Sequence, residues 1–327
     1  MKKILLDSYG DPAQVARCAE APDVGEPASD EVVFDVLAFP INPADISFCK
    51  GNYRLKPPLP ATPGAECVGR VAAVGASVSR VSPGDLVINL DRENWAQRRK
   101  VKGDRVIVLP AEIDIHQAAM IRINPPTAML LLDLVDTGPG DWIIQNVANS
   151  AVGKLIVALA VEKGVKTVNV VRRPEVFDEL KALGADVCVV DQPGLDTVVA
   201  EATGGARVKL GIDAVAGEAT HRIASCVMDG GTVCTYGSMS GESIVIPPSD
   251  LVYRGLRYEG FLLGRFLDRR STGEIGAIYD AITRRIMRGQ SHAVIERVYP
   301  INDIKAALTH AQRAAHSGKI LVAPSDH

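Results

Sequence analysis

Apolar residues in the first third of the chain recur in short alternating or continuous runs, EVVFDVLAF at 31–39, CVGRVAAVG at 67–75 and DLVINL at 85–90, each bounded by Gly, Pro, Ser or Asp. Runs of strand length between turn residues predict a compact β-rich domain from Glu31 to about Val108. Within VSPGDLV, Pro83 pre-sets φ and Gly84 tolerates the positive φ that many turns require. After Asp114 the apolar period lengthens, and DIHQAAMIRINPPTAMLLLDLV predicts two helical pieces interrupted at Pro125 and Pro126.

From Asp141 onward strand and helix patterns alternate through WIIQNVA, AVGKLIVALAVEKG, TVNVV, PEVFDELKALG, DVCVV, LGIDAV and GTVCTYG. Alternation of this kind predicts parallel strands joined by right-handed crossovers, a doubly wound α/β sheet. The last part, EIGAIYDAITRRIMRGQ followed by INDIKAALTHAQRAAHSGKILV, predicts two amphipathic helices and a terminal strand. An end strand needs a sheet to join. Its return to the N-terminal domain makes that domain discontinuous, 1–123 plus 265–327, around the doubly wound domain at 124–264, with a cleft between them.

Composition narrows the function classes. The 327 residues are 47% hydrophobic and 23% charged, enough apolar content for packed cores. With 36 basic against 39 acidic side chains, no overall field recommends nucleic acid or an anionic membrane as partner. The start MKKILLDSYG has too short an apolar run for a signal peptide, and no stretch offers about 18 uninterrupted apolar residues. A cytoplasmic location is expected. Cys18, Cys49, Cys67, Cys188, Cys226 and Cys234 form neither a C-x-x-C pair nor a Cys/His cluster at ligand spacing, so reduced structural thiols and no metal site are expected.

The turn QNVANSAVGK follows the first strand of the alternating region. A dinucleotide turn needs small residues where backbone approaches pyrophosphate, and a helix N-terminus that supplies free N–H groups and a favourable dipole. Ala148, Ala151 and Gly153 fall at those small-residue positions. The next strand ends in TVNVVRRPE, presenting Arg172 and Arg173 where an NAD-binding chain commonly presents a carboxylate to the ribose diol. A guanidinium binds a 2′-phosphate that a carboxylate would repel, so NADPH is the expected cofactor.

With these residues in place, the chain resembles the medium-chain dehydrogenase/reductase superfamily along nearly its whole length, through INPADI, GNYRLKPPLPATPGAE, VGRVAAVGASV, PGDWIIQNVANSAVG, TVNVVRR, GGTVCTYGSM and GKILV. It is most similar to the zinc-independent trans-2-enoyl thioester reductases, with quinone oxidoreductase-like relatives next. The resemblance implies a GroES-like catalytic domain, a Rossmann NADPH-binding domain and an edge-to-edge homodimer. Zinc-dependent relatives carry a Cys ligand near INPADI and a His before the Glu of PGAE; here Asn42 or Pro43 and Ala65 stand in those regions. The implied chemistry is therefore hydride addition to an already activated double bond, and the implied substrate is a small molecule, an acyl thioester.

The same resemblance implies that Tyr53, the tyrosine of GNY, donates the proton; packing against the Pro57, Pro58 and Pro60 loop is the alternative. It implies cofactor contacts at Asn124, at Asn149, Ser150, Ala151 and Val152, at Tyr236, Gly237, Ser238 and Met239, at Phe261, Leu262 and Leu263, and at Lys319. The chain departs from the family pattern at Ala151, where glycine is common, at Arg54 after Tyr53, and at Leu262, where tryptophan is frequent. Arg98, Arg99, Lys100, Lys102 and Arg105, with Arg265, Arg269 and Arg270, could meet the anionic tail of a thioester carrier; a solvated edge strand and helix end explain them equally. A quinone or small enone reductase remains a second reading, and a low-turnover nucleotide-binding protein a third.

Overall fold

The computed structural model describes residues 1–313 and 318–324. It divides into two compact units: Met1–Ile123 together with the chain from Ser271 onward, and Asn124–Arg270. The return to the first unit thus falls six residues later than the sequence suggests. Phe261 and Phe266 explain the shift, because their rings pack with centroids 4.5 Å apart and keep the short helix Leu263–Leu267 with the second unit.

The second unit is a six-stranded, all-parallel sheet. In spatial order its strands are Val187–Val190, Lys166–Val171, Trp142–Gln145, Val208–Asp213, Val227–Thr235 and Arg257–Gly260. Strand order reverses beside the central Trp142–Gln145, the switch point at which open α/β sheets bind ligands. The inner strands are buried as near-continuous apolar runs, with Ile144, Val168, Val208 and Val233 fully or almost fully buried, as helices on both faces require. Pro125 and Pro126 sit in the first turn of helix Asn124–Leu132, where a missing N–H has no intrahelical partner to lose. They start this helix rather than interrupt one.

The first unit is built on a seven-stranded sheet in which Glu31–Pro40 is the hub. Val68–Val74, Arg98–Lys102 and the C-terminal strand Lys319–Ala323 all pair with it antiparallel. Lys319–Ala323 pairs on its other side, in parallel, with Ile295–Pro300, a strand the sequence pattern does not reveal. The core gathers Ile4, Leu6, Phe34, Phe39, Trp95, Leu308 and Val322, with Phe39 and Trp95 stacked at 5.6 Å. Gly84 has φ +95°, the turn conformation expected of it.

Candidate active site and nucleotide-binding turn

In the second unit, the turn Asn146–Ser150 leads from the central strand into helix Ala151–Lys163. The Ser150 hydroxyl caps this helix by accepting from the Gly153 N–H at 3.1 Å. Gly153 is required by packing: a Cβ there would stand 2.5 Å from the Ala148 carbonyl oxygen, so helix and turn could not close together. The first-turn N–H groups beyond the cap belong to a 13-residue helix whose dipole favours an anion. Arg172 and Arg173 are exposed just past the end of Lys166–Val171. The structure therefore brings Asn149, Ser150, Ala151 and Val152 to one helix start, with the arginine pair at the next strand end.

One buried residue organises these loops without standing out in the sequence. Asp213, at the end of its strand, accepts from Asn146 Nδ2 at 2.6 Å, Val215 N at 2.9 Å, Thr220 Oγ1 at 2.7 Å and Thr235 Oγ1 at 3.1 Å. Asn146 completes the link by accepting from Ala214 N at 2.8 Å. The loop after Thr235 is tied to the same place, since Tyr236 N donates to Asp213 O and Met239 N to Ala214 O. Gly237 permits that approach, because a Cβ would lie 2.7 Å from the Ala214 oxygen. Burial pushes the Tyr236 phenol up to about 12, against a hydrogen bond with Ser150 that works in the opposite direction. Ser238 and Met239 are exposed, Phe261 is buried, and Leu262 and Leu263 are half-buried. Asn124 opens its helix at the boundary of this unit.

The first unit assembles a second polar cluster from residues far apart in sequence. Lys319 Nζ donates to Asn42 Oδ1 at 2.8 Å, and Asn42 Nδ2 donates to Glu66 Oε1 at 2.7 Å. The other Glu66 oxygen accepts from Ile123 N at 3.1 Å. Asp45, fully buried, accepts from Asn42 N at 3.0 Å and Ala65 N at 2.9 Å, pinning the start of helix Pro43–Cys49 to the segment before Glu66. Arg122 donates to the Ala65 carbonyl at 2.5 Å and to the Leu90 carbonyl, and Tyr279 OH donates to the Arg122 carbonyl at 3.0 Å.

Burial dominates the electrostatics here. It pushes Glu66 up to about 7, against the pull of the Lys319 charge and the Asn42 hydrogen bond. It also lowers Lys319, against Glu66 and Asp45. Tyr53 is half-buried against the core of this unit and lies under the guanidinium of Arg92. The expected basic run on Arg98–Lys102 is largely neutralised locally: Arg98 pairs with Asp35 and Asp23, Arg99 with Glu93, Lys102 with Asp30, and Arg105 with Asp91. All six cysteines are free, and burial pushes the Cys49 and Cys67 thiols up to about 12, which makes them poor nucleophiles. Among the described residues no group of three His, Cys, Asp or Glu could hold a metal ion, and no helix is long and apolar enough to cross a membrane.

A parallel sheet of this order with a small-residue turn at its switch point, together with a GroES-like unit closed by the C-terminal strand, defines the medium-chain dehydrogenase/reductase class. Family models agree: residues 28–98 match the alcohol dehydrogenase GroES-like domain and 151–277 the zinc-binding dehydrogenase domain. The mitochondrial enoyl-[acyl-carrier-protein] reductase of Dictyostelium discoideum is 30% identical, over 98% of this chain and 94% of that one. Within the class, the chain belongs to the family that contains these enoyl reductases. Two solved structures are similar over the whole fold. One is a Bacillus thuringiensis protein provisionally named an NADPH:quinone reductase, with TM-score 0.93, 28% identity and 99% of both chains covered. The other is Etr1p of Candida tropicalis with NADP and crotonyl-CoA, with TM-score 0.84, 27% identity, and 98% of this chain and 99% of that one covered.

Proposed function

We propose that this protein reduces the carbon–carbon double bond of a 2-enoyl thioester with NADPH, without zinc. The observation that carries the reading is the Lys319–Asn42–Glu66 chain at the position where zinc-dependent relatives place ligands. Asn42 Oδ1 is committed to an ammonium group, whose charge opposes a dication alongside it, and Ala65 offers no donor atom; this set does not fit zinc. A polarising metal is dispensable when the substrate is already activated, as a conjugated thioester is. The Etr1p complex with NADP and crotonyl-CoA supports the same substrate class.

The chain's own residues fit the cofactor. Ser150, Ala151 and Val152 would hold its pyrophosphate at the helix start, Arg172 and Arg173 its 2′-phosphate, and the Tyr236–Met239 loop, drawn in by Asp213, its nicotinamide half. When bound, NADPH supplies hydride to the β-carbon. Charge then collects on the thioester oxygen and α-carbon. Tyr53 completes the addition: its O–H bond breaks, a C–H bond forms at the α-carbon, and the phenolate recovers a proton from water.

A second reading, reduction of a quinone or simple enone, is favoured by the Bacillus thuringiensis similarity. NADPH oxidation measured side by side with 2-enoyl-CoAs, a quinone and an enone separates them; higher kcat/KM for the quinone would reject the thioester assignment. Stoichiometric, tightly held zinc in the purified protein would reject the metal-free part. The reading includes a homodimer. Among the described residues the sheet-edge strand Arg257–Gly260 pairs on one side alone, and Val252 and Tyr253, shortly before it in the chain, are 70% and 85% exposed, apolar area suited to a second copy. Sedimentation equilibrium at the monomer mass would reject it.

A further inference from the structure

We propose that Arg92 is a positioning residue for Tyr53, a cation held on the tyrosine ring by the buried Asp45 carboxylate, that stabilises the negative charge the ring acquires when its O–H bond breaks. The inference rests on the reading of Tyr53 as the proton donor and adds to it the group that makes the donation easier.

Arg92 lies in the loop after strand Leu86–Asn89, within the same unit as Tyr53. Its guanidinium carbon is 4.9 Å from the Tyr53 ring centroid and 5.8 Å from that of Phe48. Arg92 Nη2 is 3.9 Å from Asp45 Oδ1, close enough for charge attraction and too far for a hydrogen bond. That nitrogen is buried and has no hydrogen-bond partner among the described residues. The guanidinium is therefore held by one carboxylate's charge and two ring faces. Asp45 is in turn fixed by the N–H groups of Asn42 and Ala65, so the Arg92 charge is anchored to the turn that carries Asn42 and Glu66.

A cation over a neutral phenol ring gains a modest quadrupole attraction. As the phenolic proton moves to the substrate α-carbon, the electron pair of the O–H bond stays on Tyr53 and spreads into the ring, and the attraction becomes one between opposite charges. The contact is then stronger in the transition state than in the ground state, which is the condition for accelerating the step. Two unit charges about 5 Å apart at an effective dielectric of about 20 correspond to roughly 10²-fold in rate at full transfer and about tenfold for a half-transferred proton.

The test is a double-mutant cycle on the full-length protein, with kcat for a 2-enoyl-CoA and KM for NADPH as readouts. Arg92→Met is expected to lower kcat about ten- to a hundredfold with the NADPH KM nearly unchanged, and Arg92→Lys to recover part of the loss. In a Tyr53→Phe background, Arg92→Met should change kcat by less than about twofold, because nothing remains for it to act through. Equal losses in both backgrounds, or no loss in Arg92→Met alone, would overturn the proposal for Arg92 and leave Tyr53 standing. Full activity in Tyr53→Phe would instead overturn the acid assignment itself. Should Arg92→Met fail to fold because Asp45 is left unpaired, Asp45→Asn combined with Arg92→Met removes both charges and carries the same cycle, with the same outcomes deciding.

Discussion

Replacing Lys319 with Met removes the ammonium group that compensates Glu66 while keeping a chain of similar length. Glu66 is fully buried, and in the folded protein it stands near 7 against an ordinary value of 4.5. A carboxyl raised on folding binds more protons in the native state, so its contribution to stability is present in full below 4.5 and is lost as pH rises through 7. In the wild type that loss levels off above about pH 7, once the native carboxyl ionises beside Lys319. Without Lys319 the native carboxyl stays protonated to higher pH and the loss continues at about 1.4 kcal/mol per pH unit.

At pH 6 the variant should lose the hydrogen bond to Asn42, about 1 kcal/mol, and be relieved of the cost of burying the ammonium group, an offset common to pH 6 and pH 8 while Lys319 stays protonated. At pH 8 the deficit should widen by about a further 1.4 kcal/mol, the linkage accumulated over roughly one pH unit. Urea unfolding followed by circular dichroism at both pH values, without cofactor, measures the difference directly. A deficit of the same size at pH 6 and pH 8 would refute the idea that Lys319 acts as the counter-charge of Glu66.

Three further outcomes concern the nucleotide-binding unit. Arg172→Ala with Arg173→Ala should raise the KM for NADPH at least about tenfold and leave that for NADH nearly unchanged, since the contacts proposed for the pair are charge-assisted hydrogen bonds to the 2′-phosphate; steady-state kinetics with both cofactors decides it. Gly153→Ala places a methyl group against the Ala148 carbonyl oxygen and should cost about 1–3 kcal/mol in urea unfolding, together with weaker NADPH binding by fluorescence titration. Asp213→Ala strands buried donors on Asn146, Ala216 and Thr220 and should destabilise the protein by about 3 kcal/mol, seen as a lowered thermal midpoint.

Much of this architecture is legible in the sequence because burial on both faces forces apolar continuity. TVNVV and WIIQ could hardly be anything but inner strands of a covered sheet. Ile295–Pro300 and Arg257–Gly260 are not legible: IERVYP and RYEG are half polar, and their extended state is templated by Lys319–Ala323 and Val227–Thr235 alongside. Pro125 and Pro126 look like an interruption because a proline pattern does not distinguish the end of one helix from the first turn of the next. At the site, Ser150 and the arginine pair announce themselves by local context. The contact between Lys319 and Asn42 spans most of the chain and leaves no local trace, and Arg92 sits in a loop whose sequence, DREN, reads as ordinary solvated polarity.

The pairing of Lys319–Ala323 with Glu31–Pro40 also orders events during synthesis. Asn124–Arg270 is one uninterrupted stretch and can acquire its sheet while the ribosome is still translating the C-terminal segment. The seven-stranded sheet cannot close until Lys319–Ala323 has emerged, so Glu66 waits, without its ammonium partner, while the whole of Asn124–Arg270 is made. The nucleotide-binding unit is thus free to fold first, and the Glu66 carboxylate meets its counter-charge only after that unit has been synthesised.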